Sequence, residues 1–294
     1  MSRQDPLVLL IGEALAAGTA RETFVARLAE LGLGRCEIAH RRTEAVELAS
    51  EITRLAPDVI VCSTAADGQR ALALARDVPV PVPILVWTGD AGAAGLEGAE
   101  TVASVQLPAD AARHRLDLLA SLVPGLAVVG ALSDDGHPEA AAARARTELA
   151  AREAGLGIVV CRIQGTADLP AAFIRMDEAG AGAAMTFHAP ASERDGARIA
   201  ALARAAKLPL LSTVEVVRSG GLVAYDPDPV ALFRFLAECA ERVLVGETPG
   251  ALGALEAPVM RTVVHRGTAT ALGIALPADL LATADLVLEE PPGR

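Results

Sequence analysis

Aromatic side chains are nearly missing from this sequence: one Trp, one Tyr and five Phe stand among 294 residues. Yet 52% of the residues are hydrophobic. A substantial core must therefore be built from Ala, Leu, Val and Ile. Lysine is scarcer still, with Lys207 the only one, so Arg carries almost all the positive charge. Acidic residues outnumber basic ones, 37 against 26, for a net charge of −11. Nucleic acid is bound through clustered cations on its phosphates, and an anionic membrane surface makes the same demand. Neither is expected as a partner.

Chemistry-bearing motifs are also absent. Cys36, Cys62, Cys161 and Cys239 show no CxxC or other metal-ligand spacing. Cys62 and Cys161 fall inside apolar runs, where a free Cys acts as a small buried hydrophobe. Phosphate loops, dinucleotide fingerprints and nucleophile elbows are missing. Gly89–Gly95 is glycine-rich but fits no such fingerprint. The five His are scattered, and no local pattern groups Ser, His and Asp as a triad. The expectation is a protein that is not an enzyme and carries no metal or cofactor. No apolar run is long enough to span a bilayer, so the chain is not expected to be membrane-embedded. Leu7–Ile11 after Arg3 imitates a signal peptide, but Asp5, Pro6 and Glu13 interrupt it. It reads better as a first buried strand. The expected location is periplasmic if a leader was removed and cytoplasmic if the sequence is complete as given.

What is present is alternation. Leu7–Ile11 reads as a strand and Thr19–Leu31 as a helix with Phe24, Val25, Leu28 and Leu31 on one face. Cys36–His40 is a strand, Thr43–Leu55 a helix capped by Thr43, Asp58–Cys62 a strand, Ala65–Arg76 a helix and Pro83–Trp87 a strand. The wholly apolar strand centres suit a parallel sheet buried on both faces. The pattern restarts with strand Leu126–Leu132, helix Pro138–Ala154, strand Gly157–Ile163, helix Ala167–Glu178, strand Ala183–Phe187, helix Ser192–Ala206 and strand Leu208–Leu211. Helix Pro229–Val245 and strand Pro258–His265 follow, and Glu289–Arg294 has the composition of a disordered tail. The fold class expected is α/β, with two similar doubly wound parallel-sheet lobes joined by a hinge near Leu118–Gly125.

Two C-terminal stretches carry a resemblance. One is Gly220-Gly221-Leu222-Val223-Ala224-Tyr225-Asp226-Pro227-Asp228. The other runs from Thr268-Ala269-Thr270-Ala271-Leu272-Gly273 to Ala284-Asp285. With Phe24–Gly32, Leu55–Val61 and Leu122–Gly130, in that order and spacing, they resemble the ABC-transporter substrate-binding proteins. These have a type I periplasmic-binding-protein-like fold, and the resemblance extends to the tryptophan/tyrosine-binding proteins among them. One departure is Asp226, where the family often has Gly in Ser-Tyr-Gly-Pro-Asp. The resemblance implies three crossings between lobes, with 1–120 plus 221–254 as lobe one and 121–220 plus 255–294 as lobe two. It also implies a ligand cleft between them that closes on a small polar molecule, an amino acid or a related solute. An ABC-transporter permease is the implied partner. A cytoplasmic ligand sensor of the same fold and an α/β small-molecule enzyme are the alternatives.

In open α/β sheets, ligands bind beyond the carboxyl ends of the strands. The candidates are therefore Gly12 and Glu13, Ser63 and Thr64, then Trp87, Thr88 and Asp90. The second set is Ser133, Asp134 and Asp135, then Phe187 and His188, Ser212 and Thr213, and finally Tyr225 and Asp226. Ser63-Thr64 either binds a carboxylate or simply caps a helix. The Asp residues either receive an ammonium group or close turns. Trp87 and Phe187 either stack on a ligand or complete the core.

Overall fold

The computed structural model describes residues 5–42, 48–76, 78, 80–134, 136, 139–187 and 190–289. In chain order the elements are β1 (Leu7–Ile11), α1 (Thr19–Leu28), β2 (Glu37–Arg41), α2 (Leu48–Leu55), β3 (Val59–Cys62), α3 (Ala65–Ala75), β4 (Ile84–Trp87), β5 (Val102–Gln106) and α4 (Ala111–Leu122). Then come β6 (Val128–Asp134), α5 (Ala140–Glu153), β7 (Gly157–Ile163), α6 (Leu169–Glu178), β8 (Ala183–Thr186), α7 (Pro190–Ala205), β9 (Leu210–Ser212), α8 (Val214–Arg218) and β10 (Val223–Pro227). The chain closes with α9 (Pro229–Leu244), α10 (Pro249–Leu252), β11 (Ala254–Glu256), β12 (Met260–His265), α11 (Arg266–Leu272), α12 (Ala278–Thr283) and β13 (Leu286–Leu288). The expected cap Thr43, with the start of its helix, lies outside the described residues, as do Pro138 and the tail beyond Glu289.

The elements sort into two compact units, one of residues 1–108 and 227–259, the other of 109–226 and 260–294. The first unit holds a six-stranded sheet in the order β11-β5-β4-β3-β1-β2. Its strands run parallel, with Ile11 level with Cys62 and Cys62 level with Val86. Every residue of β1 and β3 is buried, because helices cover both faces. Alternate residues Leu9, Ile11, Ile60, Cys62, Ile84 and Val86 pack with Leu48 and Ile52 of α2 and Ala65 and Ala71 of α3. Helix α9 packs on α1, β3 and β4, and buries Leu232, Phe233, Leu236 and Ala240. Each Leu or Phe side chain so buried contributes about 1.5–3 kcal/mol.

The second unit holds a seven-stranded sheet, β13-β12-β10-β9-β8-β6-β7. On one face Val129, Ala131, Met185, Leu211 and Val223 pack with Leu116, Leu119 and Leu122 of α4, and with Ala269 and Leu280. On the other, Leu132, Cys161, Ile163, Ala184 and Leu210 pack with α6 and α7 through Phe173, Met176, Ile199 and Ala203. The five strands β7, β6, β8, β9 and β10 are parallel. The Leu222 carbonyl just before β10 accepts from the His265 amide at the end of β12. That pairing turns β12, and β13 parallel to it, against the other five, so the sheet is mostly rather than wholly parallel.

Strands β5, β10, β11 and β13 and helices α4, α8, α10, α11 and α12 add to the elements expected from the pattern. The divisions between units fall at 108/109, 226/227 and 259/260, compared with the expected 120/121, 220/221 and 254/255. Each offset has a packing cause within a unit. Helix α4 buries its leucines in the second core, β10 pairs with β9, and β11 pairs with β5.

Candidate functional site

Parallel strands deliver their carboxyl ends to one edge, so each unit gathers its post-strand residues there. In the first unit β1 runs into Gly12, which adopts φ 113° and ψ 157°, a region open essentially only to glycine. Its carbonyl accepts from His40 Nε2 at 2.9 Å. A Cβ at this position would lie 2.0 Å from Ser63 Oγ and 2.3 Å from Asp67 Oδ2. Glu13 is exposed and meets exposed Arg42 at 3.1 Å, a solvated pair of little energetic weight.

After β3, Ser63 is buried and donates to Asp67 Oδ2 at 2.9 Å. Thr64 caps α3, its Oγ1 accepting from the Asp67 amide at 3.2 Å. Asp67 is only 5% exposed. It stands at the same carboxyl edge, and the strand-end reasoning passed over it. The spacing Thr64-x-x-Asp67 marks a helix start with an acid in its first turn, and that signal was there to be used. After β4, Trp87 is half-buried and Thr88 buried. Thr88 Oγ1 accepts from the Asp90 amide at 3.3 Å and Asp90 Oδ1 from the Ala93 amide at 3.0 Å. These two residues build the turn at 91–95, the Asx chemistry of the turn reading.

In the second unit Ser133 is fully buried, and Asp134 Oδ1 accepts from the Gly136 amide at 3.1 Å. Phe187 is buried in the core beside Met185 and Leu211. Asp135 and His188 lie outside the described residues. The Thr186 and Ser212 hydroxyls share a hydrogen bond. Thr213 follows at once; its hydroxyl is buried and has no hydrogen-bond partner. Tyr225 stacks on His114, with ring centroids 4.2 Å apart and planes 26° from parallel. Burial pushes the Tyr225 phenol above its ordinary pKa; nearby Asp110 adds to this and Arg115 opposes it.

Asp226 is 6% exposed and has both oxygens engaged. Oδ1 accepts from Arg115 Nη2 at 3.0 Å and Oδ2 from the Val214 amide, the first of α8, at 3.1 Å. Arg115 Nε also donates to the Tyr225 carbonyl at 3.1 Å. The residue that departs from the resembled motif thus ties α4, α8 and β10 together. Arg115 and His114 were missed because α4 itself was not anticipated, although Leu116, Leu119 and Leu122 carry the helical period.

The structure therefore brings Ser63 and Thr64 together with Gly12 and Asp67, and Thr88 with Asp90. It brings Ser212 and, just beyond it, Thr213 beside Tyr225 and Asp226 through the adjacent strands β9 and β10. Glu13 stands apart in solvent. Among the described residues, no helix is long and apolar enough to cross a membrane.

Comparison with known proteins bears on this arrangement. The sequence matches the model of the ABC transporter substrate binding protein family over residues 36–288. No curated protein matches it. Among solved structures, the ABC domain from Streptococcus pneumonia in complex with L-Trp is 17% identical, with a TM-score of 0.82 over 97% of this chain and 100% of that one. A conserved domain protein from Vibrio cholerae is 19% identical, with a TM-score of 0.80 and the same coverage. The ligand-free, open substrate binding protein with adhesive properties from Clostridium difficile is 18% identical, with a TM-score of 0.75 over 97% and 99%. At such identities the likeness is one of fold, type I periplasmic-binding-protein-like. The match to the family model extends over far more than half of the residues, and the chain belongs to the ABC transporter substrate-binding protein family.

Proposed function

We propose that the protein captures a small polar solute, an amino acid or a related molecule, as the solute-binding component of an ABC-type transporter, and performs no chemistry on it. The carboxyl-end loops of its two sheets would supply the polar contacts, and a permease would receive the solute on the extracytoplasmic side of the membrane. One observation carries the reading. The central strands β1, β3 and β4 are aliphatic or nearly so, and buried hydroxyls gather at strand carboxyl ends: Ser63, Thr88, Ser133, Thr186, Ser212 and Thr213. Among these the Thr213 hydroxyl has no partner in the protein; buried polar groups demand partners, and a bound solute is a ready one. Family membership and the L-Trp complex of the similar streptococcal domain support the same choice.

A thermal-shift screen of the purified protein against amino acids, their amides, polyols and small carboxylates tests it. A solute at 100 times its Kd stabilises the folded state by about 2.7 kcal/mol, so a true ligand gives a concentration-dependent rise in Tm. Silence across all these classes contradicts solute capture. A second reading, a ligand sensor of the same fold in a reducing compartment, draws on the four free cysteines. Fusion of the full-length gene product to a reporter active only outside the cytoplasm separates the two.

A further inference from the structure

The two loop sets share a feature that bears on which solute they accept, given the solute-binding reading above. At each carboxyl edge, the amides and cations that would draw a solute anion already face a carboxylate of the protein's own. In the first unit Asp67 occupies the first turn of α3, and its amide is taken by Thr64. Ser63 has a single hydroxyl proton, and that proton goes to Asp67 Oδ2. What Ser63 has left to offer is lone pairs. In the second unit the first amide of α8 is taken by Asp226 Oδ2, and Arg115, the buried cation of that edge, faces the other oxygen of the same carboxylate.

An independent observation marks the second edge as a point of contact. The Thr213 hydroxyl, between Ser212 and that saturated amide, is buried and unpartnered. It can both donate and accept, so it is able to meet an amine, amide or hydroxyl of the solute. We infer that each of these edges, taken by itself, receives amine, amide or hydroxyl groups of a solute, and that a carboxylate or phosphate is not received there. A solute carboxylate would put a second negative charge beside Asp67 at a helix start whose dipole already has its anion, and it would meet Ser63 as a fellow acceptor.

Isothermal titration at 0.15 M salt with matched pairs tests this: an L-amino acid against its primary amide, and a polyol against the corresponding sugar acid. The amide or polyol should bind at least ~10-fold more tightly, roughly the effect of one charge-assisted contact. Asp67→Asn should shrink that ratio, mainly by gain for the acid. Asp279→Asn, which removes the same charge at an exposed site, should leave it unchanged. The inference is overturned if the wild-type protein binds the acid as tightly as its neutral mate, or if Asp67→Asn and Asp279→Asn act alike. Should neither member of any pair bind, the solute-binding reading itself falls, and this inference with it.

Discussion

Replacing Thr213 by Val should make the unliganded protein more stable, which is an unusual direction for a buried substitution. The structure supplies the reasoning. Thr213 is 2% exposed and its Oγ1 has no partner. An unsatisfied buried donor costs about 1–3 kcal/mol. Val keeps the β-branched shape and exchanges the hydroxyl for a methyl, so packing is retained and the penalty removed. The expected gain is about 1–2 kcal/mol, against an average point substitution that loses about 1 kcal/mol. Urea unfolding followed by far-UV circular dichroism reads the sign directly, as a raised midpoint with an unchanged m-value. The same variant should lose affinity for the solute by at least ~10-fold, because the solute's polar group loses its hydroxyl partner in the complex. A Thr213→Val protein that is less stable than the parent by ~1 kcal/mol or more would refute the reasoning. It would mean that the hydroxyl is satisfied by the protein itself.

Other outcomes follow from neighbouring residues. Gly12→Ala should destabilise by about 3–5 kcal/mol in the same unfolding assay. It forces L-residue strain of about 1–3 kcal/mol and drives a Cβ into Ser63 Oγ and Asp67 Oδ2; a loss below ~1 kcal/mol would contradict the geometry. Asp226→Asn and Arg115→Met should each cost about 3–5 kcal/mol by leaving a buried partner uncompensated. The double variant should cost clearly less than their sum, and strict additivity would mean that the pair is uncoupled. Three thiols are buried, those of Cys62, Cys161 and Cys239. Burial pushes all three up, Cys239 to about 11. A disulfide-exchange reagent at pH 8 should therefore modify at most Cys36 quickly and all four cysteines only after unfolding. Rapid modification of two or more in the native protein would count against the core. His265 is held below its ordinary pKa of 6.5, first by burial and then by Arg204, and its Nδ1 accepts from the Thr268 amide. Its contribution is thus complete above pH 6.5 and fades as pH falls through the lower folded value. Between pH 7 and 5 the parent should lose more stability than His265→Gln, and equal losses would refute the assignment.

The framework of alternating strands and helices was legible because buried parallel strands are written as short aliphatic runs. Leu7–Ile11 and Gly157–Ile163 stand in the structure at the bounds their sequence suggested. Elements without such runs were not. Strand β5 contains Ser104 and Gln106, and α8 is only five residues long. Helix α4 hid behind its charged residues Arg113, Arg115 and Asp117 even though its leucines keep the period. At the strand ends, residue type and position showed which side chains gather at the edge, but not how they pair. Asp226 looked like a residue offered to solvent or ligand, whereas long-range packing brings Arg115, more than a hundred positions earlier, against it. Asp67 escaped notice because it lies one helical turn beyond the strand end. Its local cue, an acid three residues after a capping Thr, is ordinarily a matter of helix stability rather than of binding.

The central claim is that solute is received at the carboxyl ends of the strands. Hydrogen exchange of backbone amides, with and without the first solute that raises the melting temperature, tests it most directly. The account predicts slowed exchange at Gly12 and Thr64–Gly68, at the turn of residues 91–95, and at Val214–Val217 beside Thr213. Protection confined to the amino ends of the strands, around Gly157 and Gly182, would contradict it.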